Sequence, residues 1–152
     1  MNTQQYLGQI DRLTFMIEAK NDEIVRLTAL ACKITSSTEG FRVKSSPEPD
    51  KLANAVAKIV ESKNELAELV KALCVKRAEI IEKIDNLDET TCQKFLTCRY
   101  VKNLSGKEIC AELGISPASL FRIQNAAIKE FERAYGREFE KITIKNNKID
   151  SI

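Results

Sequence analysis

The stretch "LSGKEICAELGISPASLFRIQNAAIKEF", residues 104–131, decides the fold of the C-terminal half of this chain. It reads as two helices joined by a tight turn. Ser105 and Glu108 form an S-x-x-E capping box: the hydroxyl accepts from the Glu108 amide, and the carboxylate accepts from the Ser105 amide. That helix is short, because Gly114 permits the left-handed turn that ends it after Leu113. Ser116 then caps a second helix, and Pro117 occupies its first turn, where a missing amide proton costs nothing. A short helix, a glycine turn and a longer helix make a helix-turn-helix. Ile109, Leu113, Ile115, Leu120 and Ile123 supply its internal contacts, with Cys110 kept small where the helices approach.

At ~100° per residue, Leu120, Ile123, Ala127 and Phe131 cluster on one side of the second helix. Ala118, Arg122, Asn125 and Lys129 fall within ~35° of the opposite direction, where a recognition helix meets a major groove. Arg122 suits guanine O6 and N7, and Asn125 suits adenine N6 and N7. Ala118 keeps the tip slim, and Lys129, a turn further on, suits a phosphate. Ser116 belongs to the same DNA-facing group, and Ser119 and Phe121 flank it. For Phe121 two readings stay open, contact with a thymine methyl or packing under the preceding helix. Arg99, Lys102 and Lys107 are candidate phosphate contacts, the alternative for each being ordinary solvated surface.

Upstream, "DNLDETTCQ" offers Asp88 or Thr90 as cap for a helix through "KFLTCRYVKN", which puts Phe95, Leu96 and Tyr100 on a common face. Before it the rhythm is heptad. Tyr6, Ile10, Leu13, Ile17, Ile24, Leu27, Ala31 and Ile34 form one seam, with Lys20 in its polar slot. Leu52, Val56, Ile59, Leu66, Val70, Leu73, Ile80, Ile84 and Leu87 form a second, with Lys63 and Arg77 in the polar slots and Asp50 as cap. Neither stripe stays wet, since each buried Leu or Ile contributes about 1.5–3 kcal/mol. The expected solution is a long antiparallel, coiled-coil-like hairpin. Heptads report packing and not the number of partners, so an intramolecular hairpin and a dimerisation stalk both remain open.

The expected organisation is all-α: a helical hairpin or oligomerisation region over residues 1–89, a helix-turn-helix domain over 90–136, and a tail over 137–152 after a helix end at Gly136. The connection "TSSTEGFRVKSSPEPD", residues 35–50, exceeds a usual helix–helix loop. Its Phe41, Arg42, Val43 and Lys44 suit a contact with DNA or protein, the alternative being a mobile or folded-back loop.

Composition narrows the chemistry. The 152 residues, 43% hydrophobic and 30% charged, suit a folded, helix-rich chain. No run reaches the ~18 apolar residues of a membrane span, and the N-terminus lacks signal-peptide features, so a cytoplasmic location without membrane partners is expected. The chain has no histidine, no C-x-x-C pair among its five cysteines, no glycine-rich phosphate loop and no nucleophile beside a base. No enzyme activity, metal or other cofactor is expected, and the cysteines are expected to be free, buried thiols. Residues 1–91 carry 13 Lys/Arg against 15 Asp/Glu, a net of −2, and residues 92–152 carry 11 against 7, a net of +4. The basic half suits a polyanion.

Residues 96–131 resemble the region-4 helix-turn-helix of sigma-70-type transcription factors. The resemblance rests on Arg99-Tyr100, on Glu108 through Ser116 and on Arg122 through Ile128, with Cys110 in place of the usual alanine and Ile128 of the usual leucine. With residues 41–56 added, the chain is similar to the RinA and ArpU type of late-gene regulators from phages of Gram-positive bacteria. The resemblance implies a phage or prophage regulator acting at a promoter, and the favoured expectation is a dimer that binds double-stranded DNA and positions or contacts RNA polymerase. No segment resembles the promoter-melting region of a complete sigma factor. A packaging protein like a small terminase subunit, or a structural adaptor, are the competing classes.

Overall fold

The structure is a computed structural model that describes residues 1–38 and 48–149. Among these residues it is all-helical, as expected. The elements are α1 (Thr3–Leu7), α2 (Gln9–Thr38), α3 (Glu48–Asp85), α4 (Thr90–Leu96), a π-helical turn at Thr97–Val101, α5 (Gly106–Leu113) and α6 (Pro117–Ile149). No described helix is long and apolar enough to cross a membrane. The connection at 35–50 is shorter than read, because residues 35–38 close α2 and Glu48 opens α3. Phe41, Arg42, Val43 and Lys44 lie outside the described residues. Asp50 therefore sits inside the first turn of α3 and not at its cap. The N-cap of α4 is Glu89, in place of Asp88 or Thr90.

The chain forms two compact units, Met1–Arg12 with Cys74–Ile152, and Leu13–Leu73. This division differs from a boundary at 89/90. Tyr6, Ile10, Ile80, Ile84 and Leu87, the ends of the two heptad seams, belong with α4–α6 and are buried there.

In that first unit α6 packs on α4, α1 and α5. Phe95, Leu96, Ile109, Ala127 and Phe131 are buried, so the inner faces of α4, α5 and α6 are those the apolar spacing indicates. Gly136 does not end α6, which continues to Ile149. The reason lies in Phe131, Tyr135 and Phe139, spaced four apart on one helix face. Phe139 is buried and stacks on Tyr6 with ring centroids 4.2 Å apart, and Phe131 lies 6.1 Å from the same ring. A mid-helix glycine costs about 1 kcal/mol relative to alanine, whereas burying a phenylalanine contributes about 1.5–3 kcal/mol. Burial wins, and the expected tail at 137–152 is helical through residue 149.

Polar groups close this core. The Tyr6 hydroxyl donates to Glu79, which also accepts from Lys76 Nζ at 3.0 Å. Lys76 lies 5.4 Å from the Tyr6 ring centroid, and Lys83 pairs with Glu138 while lying 4.6 Å from the Tyr135 ring. Burial, reinforced by the bond to Glu79, pushes the Tyr6 hydroxyl far above the ordinary tyrosine range. Burial also pushes the Glu79 carboxyl up, but the hydrogen bonds from Tyr6 and Lys76 outweigh it and hold Glu79 below the ordinary carboxylate range. Tyr6→Phe is predicted to cost about 1.5 kcal/mol at pH 7, the value of a hydrogen bond to a charged group. Because the folded-state value of Glu79 is depressed, its contribution is present above the unfolded carboxylate value and is lost as pH falls through the folded one. Urea unfolding of both proteins should therefore show a smaller gap at pH 3 than at pH 7.

The second unit pairs segments of α2 and α3. Lys20 Nζ bonds Glu65 at 2.6 Å and Glu23 at 2.9 Å. Leu27, Leu30 and Ile34 share a recess of about 360 Å³ with Lys51, Asn54, Ala55 and Lys58. Meeting residues thus rise in number along α2 as they fall along α3. The α2 seam is as read, with Leu13, Ile17, Ile24, Leu27, Ala31 and Ile34 half-buried. The α3 seam is corrected at alternate positions. Leu52, Ile59, Leu66 and Leu73 are half-buried as expected, but Ala55, Ser62 and Leu69 turn inward where Val56, Lys63 and Val70 were expected. Val56 is 47% exposed and Val70 42%. In the first unit Lys76 likewise replaces Arg77, which is exposed and donates to the Val101 carbonyl at 3.4 Å.

All five cysteines are free thiols. Cys92 and Cys98 are buried and Cys110 half-buried, but Cys32 and Cys74 are exposed, contrary to the expectation of uniform burial. Desolvation pushes the Cys92 thiol up.

Candidate nucleic-acid interface

The turn between α5 and α6 is built as its residues dictate. The Ser105 amide donates to Glu108 Oε2 at 2.8 Å, and the Glu108 amide donates to Ser105 Oγ at 3.3 Å, completing the capping box. Gly114 adopts φ 64° and ψ 40°, the left-handed region where a side chain would be strained. The Ile115 amide then returns to the Cys110 carbonyl at 3.1 Å. Ser116 Oγ accepts the Ser119 amide at 3.2 Å and donates to Ser119 Oγ at 3.0 Å. Both hydroxyls are thus engaged locally: Ser116 is exposed and serves as cap, and Ser119 is half-buried. A Cβ added at Gly106 would lie 3.4 Å from Leu120 Cδ2, so α5 meets α6 at ordinary van der Waals distance there.

Beyond this start, α6 separates its faces. Ala127 and Phe131 are buried, and Leu120 and Ile123 are half-buried. The half-burial of Leu113, Ile115 and Ile123 has a visible cause, since all three border an open recess of about 640 Å³ beside α4. On the outer side Ala118, Phe121, Arg122, Asn125 and Lys129 are all exposed. Phe121 is 68% exposed, which excludes packing under the preceding helix. Among the described residues no ion pair or side-chain hydrogen bond engages Arg122, Asn125, Lys129 or Lys107. No carboxylate occurs between Leu113 and Lys129, so over that stretch the outer face carries only positive and neutral groups, and the exposed Glu132, one turn beyond Lys129, is the first carboxylate on it. That combination suits an anionic partner.

The flanking cations differ among themselves. Lys107 is exposed in the first turn of α5. Lys102 is exposed but shares its charge with Glu112 at 3.6 Å. Arg99 is exposed on the π-helical turn and reaches the Leu104 carbonyl at 3.5 Å. That turn is a feature the heptad and capping signals do not announce. It swings the chain at Thr97–Val101 so that the Leu104 amide bonds the Cys98 carbonyl at 2.9 Å. Asn103, also unmarked by the sequence reading, holds the approach to α5: it takes φ 54° and its amide donates to Asp11 at 3.2 Å. The available signal was the asparagine itself, which tolerates left-handed backbone better than most residues. Among the described residues no group of three His, Cys, Asp or Glu side chains could hold a metal ion.

A family profile described as "Protein of unknown function (DUF1492)" matches residues 45–132. The chain belongs to the DUF1492 family. The matched segment contains α3, α4, α5 and α6 up to Glu132, and so takes in the whole exposed strip together with Ala127 and Phe131 behind it. It leaves out α1, α2 and the part of α6 that carries Tyr135 and Phe139. No curated protein and no solved structure matches the chain.

Proposed function

We propose that this DUF1492 protein is a sequence-specific, DNA-binding transcriptional regulator of phage or prophage origin. In this reading α5, the Gly114 turn and α6 act as a sigma-70 region-4-like helix-turn-helix in the cytoplasm. The α6 strip enters a major groove, where Arg122 and Asn125 read bases and Ala118 allows close approach. Lys107, Lys129, Arg99 and Lys102 hold phosphates, Lys102 after release from Glu112, and Ser116 fixes the helix tip. The protein works by binding and not by catalysis. Docked upstream of a promoter, it would also contact RNA polymerase.

The observation that carries the reading is the strip itself: exposed, unpaired among the described residues and free of carboxylates across Leu113 to Lys129. The α2–α3 contacts support an antiparallel hairpin as the second part of the molecule, and the exposed Val56, Val60 and Val70 support its use in a dimer. Two measurements test this on the full chain. Selection from a random duplex pool should enrich one motif, and native mass spectrometry should give a dimer on it. An unenriched pool would end the reading, and a closed ring of eight or so subunits would favour DNA packaging instead.

A further inference from the structure

We infer that Phe121 gives the proposed DNA site a thymine requirement, by covering the 5-methyl group of one thymine beside the bases read by Arg122 and Asn125. This rests on the DNA-binding reading and adds to it a base identity and the residue that enforces it. Phe121 is 68% exposed although the same helix turn buries or half-buries its other large apolar residues. It stands ~60–70° to one side of the strip formed by Ala118, Arg122, Asn125 and Lys129. In a major groove the polar atoms of the purine lie toward one side of the base pair and the thymine methyl toward the other. An aromatic ring beside a polar strip matches that lateral pattern. Its helix-face neighbours also favour a nucleic acid over an apolar protein groove, since Pro117, Ala118, Gln124 and Asn125 lie beside it at three- and four-residue spacing and no carboxylate lies within the run from Leu113 to Lys129.

The experiment uses the full chain and the duplex enriched by selection, with each thymine replaced singly by deoxyuridine, which lacks only the methyl group. One replacement should weaken binding about fourfold, the worth of one buried methyl-sized group, and the others should matter little. Phe121→Ala should bind the parent duplex more weakly and be indifferent to deoxyuridine at that position. Its melting temperature should match that of the parent, because the ring is exposed. Two results overturn the inference while leaving DNA reading intact: a parent protein that binds specifically yet ignores every replacement, or a Phe121→Ala protein that keeps the fourfold loss. Loss of RNA polymerase binding by Phe121→Ala with an unchanged deoxyuridine profile overturns it in favour of a protein contact. A pool with no enriched duplex overturns both the inference and the reading beneath it.

Discussion

Phe131→Ala is expected to lower the unfolding free energy by about 3–5 kcal/mol, the usual cost of deleting a buried phenylalanine ring. Phe131 is fully buried and has three aromatic neighbours, with centroids at 6.1 Å to Tyr6, 5.0 Å to Tyr135 and 6.0 Å to Phe139. Removing it takes away both its own burial and the surface on which those rings rest. A domain of this size is stable by only about 5–15 kcal/mol, so the loss is a large share of the whole. Urea unfolding followed by circular dichroism would measure it. A cost under 1 kcal/mol would mean that the aromatic cluster does not organise the first unit. The same measurement on Arg122→Ala should show almost no change, because Arg122 is exposed and has no partner among the described residues.

The second large effect concerns salt. If Arg99, Lys102, Lys107 and Lys129 each neutralise one phosphate, four counterions leave the duplex per protomer, and the slope of log affinity against log salt is about −3.6. Raising salt from ~50 to ~200 mM should then weaken binding roughly a hundredfold per protomer. Lys107→Ala should reduce the slope by about one without changing which sequence is preferred. Fluorescence anisotropy across a salt series checks both. Binding that ignores salt would point to an apolar protein partner and to the adaptor class.

What the sequence made legible is what local chemistry determines. Ser105 with Glu108, Gly114, and Ser116 with Pro117 fix their turn through contacts a few residues apart, and each appears in the structure as read. The outer face of α6 is equally legible, because helical geometry alone separates Arg122 and Asn125 from Ala127 and Phe131. The failures depend on partners distant in the chain. The seam of α3 could step 52–55–59 or 52–56–59, both of which keep the seven-residue repeat, and valine at 56 looks a better choice than alanine at 55. Only the contact with α2 settles it, and that contact takes Ala55. Gly136 looks like a stop signal until Tyr6, far earlier in the chain, supplies the surface that Phe139 covers. Tyr6 itself reads as the first heptad residue, yet it serves the aromatic core and not the α2–α3 pairing.

The central claim is that the exposed side of α6 lies against base edges in the major groove. Dimethyl sulfate, which methylates guanine N7 in that groove, tests it most directly on the selected duplex. The account predicts that the parent protein shields one guanine N7 in each half-site, and that Arg122→Ala, folded as before, leaves that N7 open and binds about 10- to 100-fold more weakly. Shielding that persists unchanged in Arg122→Ala, or a specific complex in which no N7 is shielded, would contradict it.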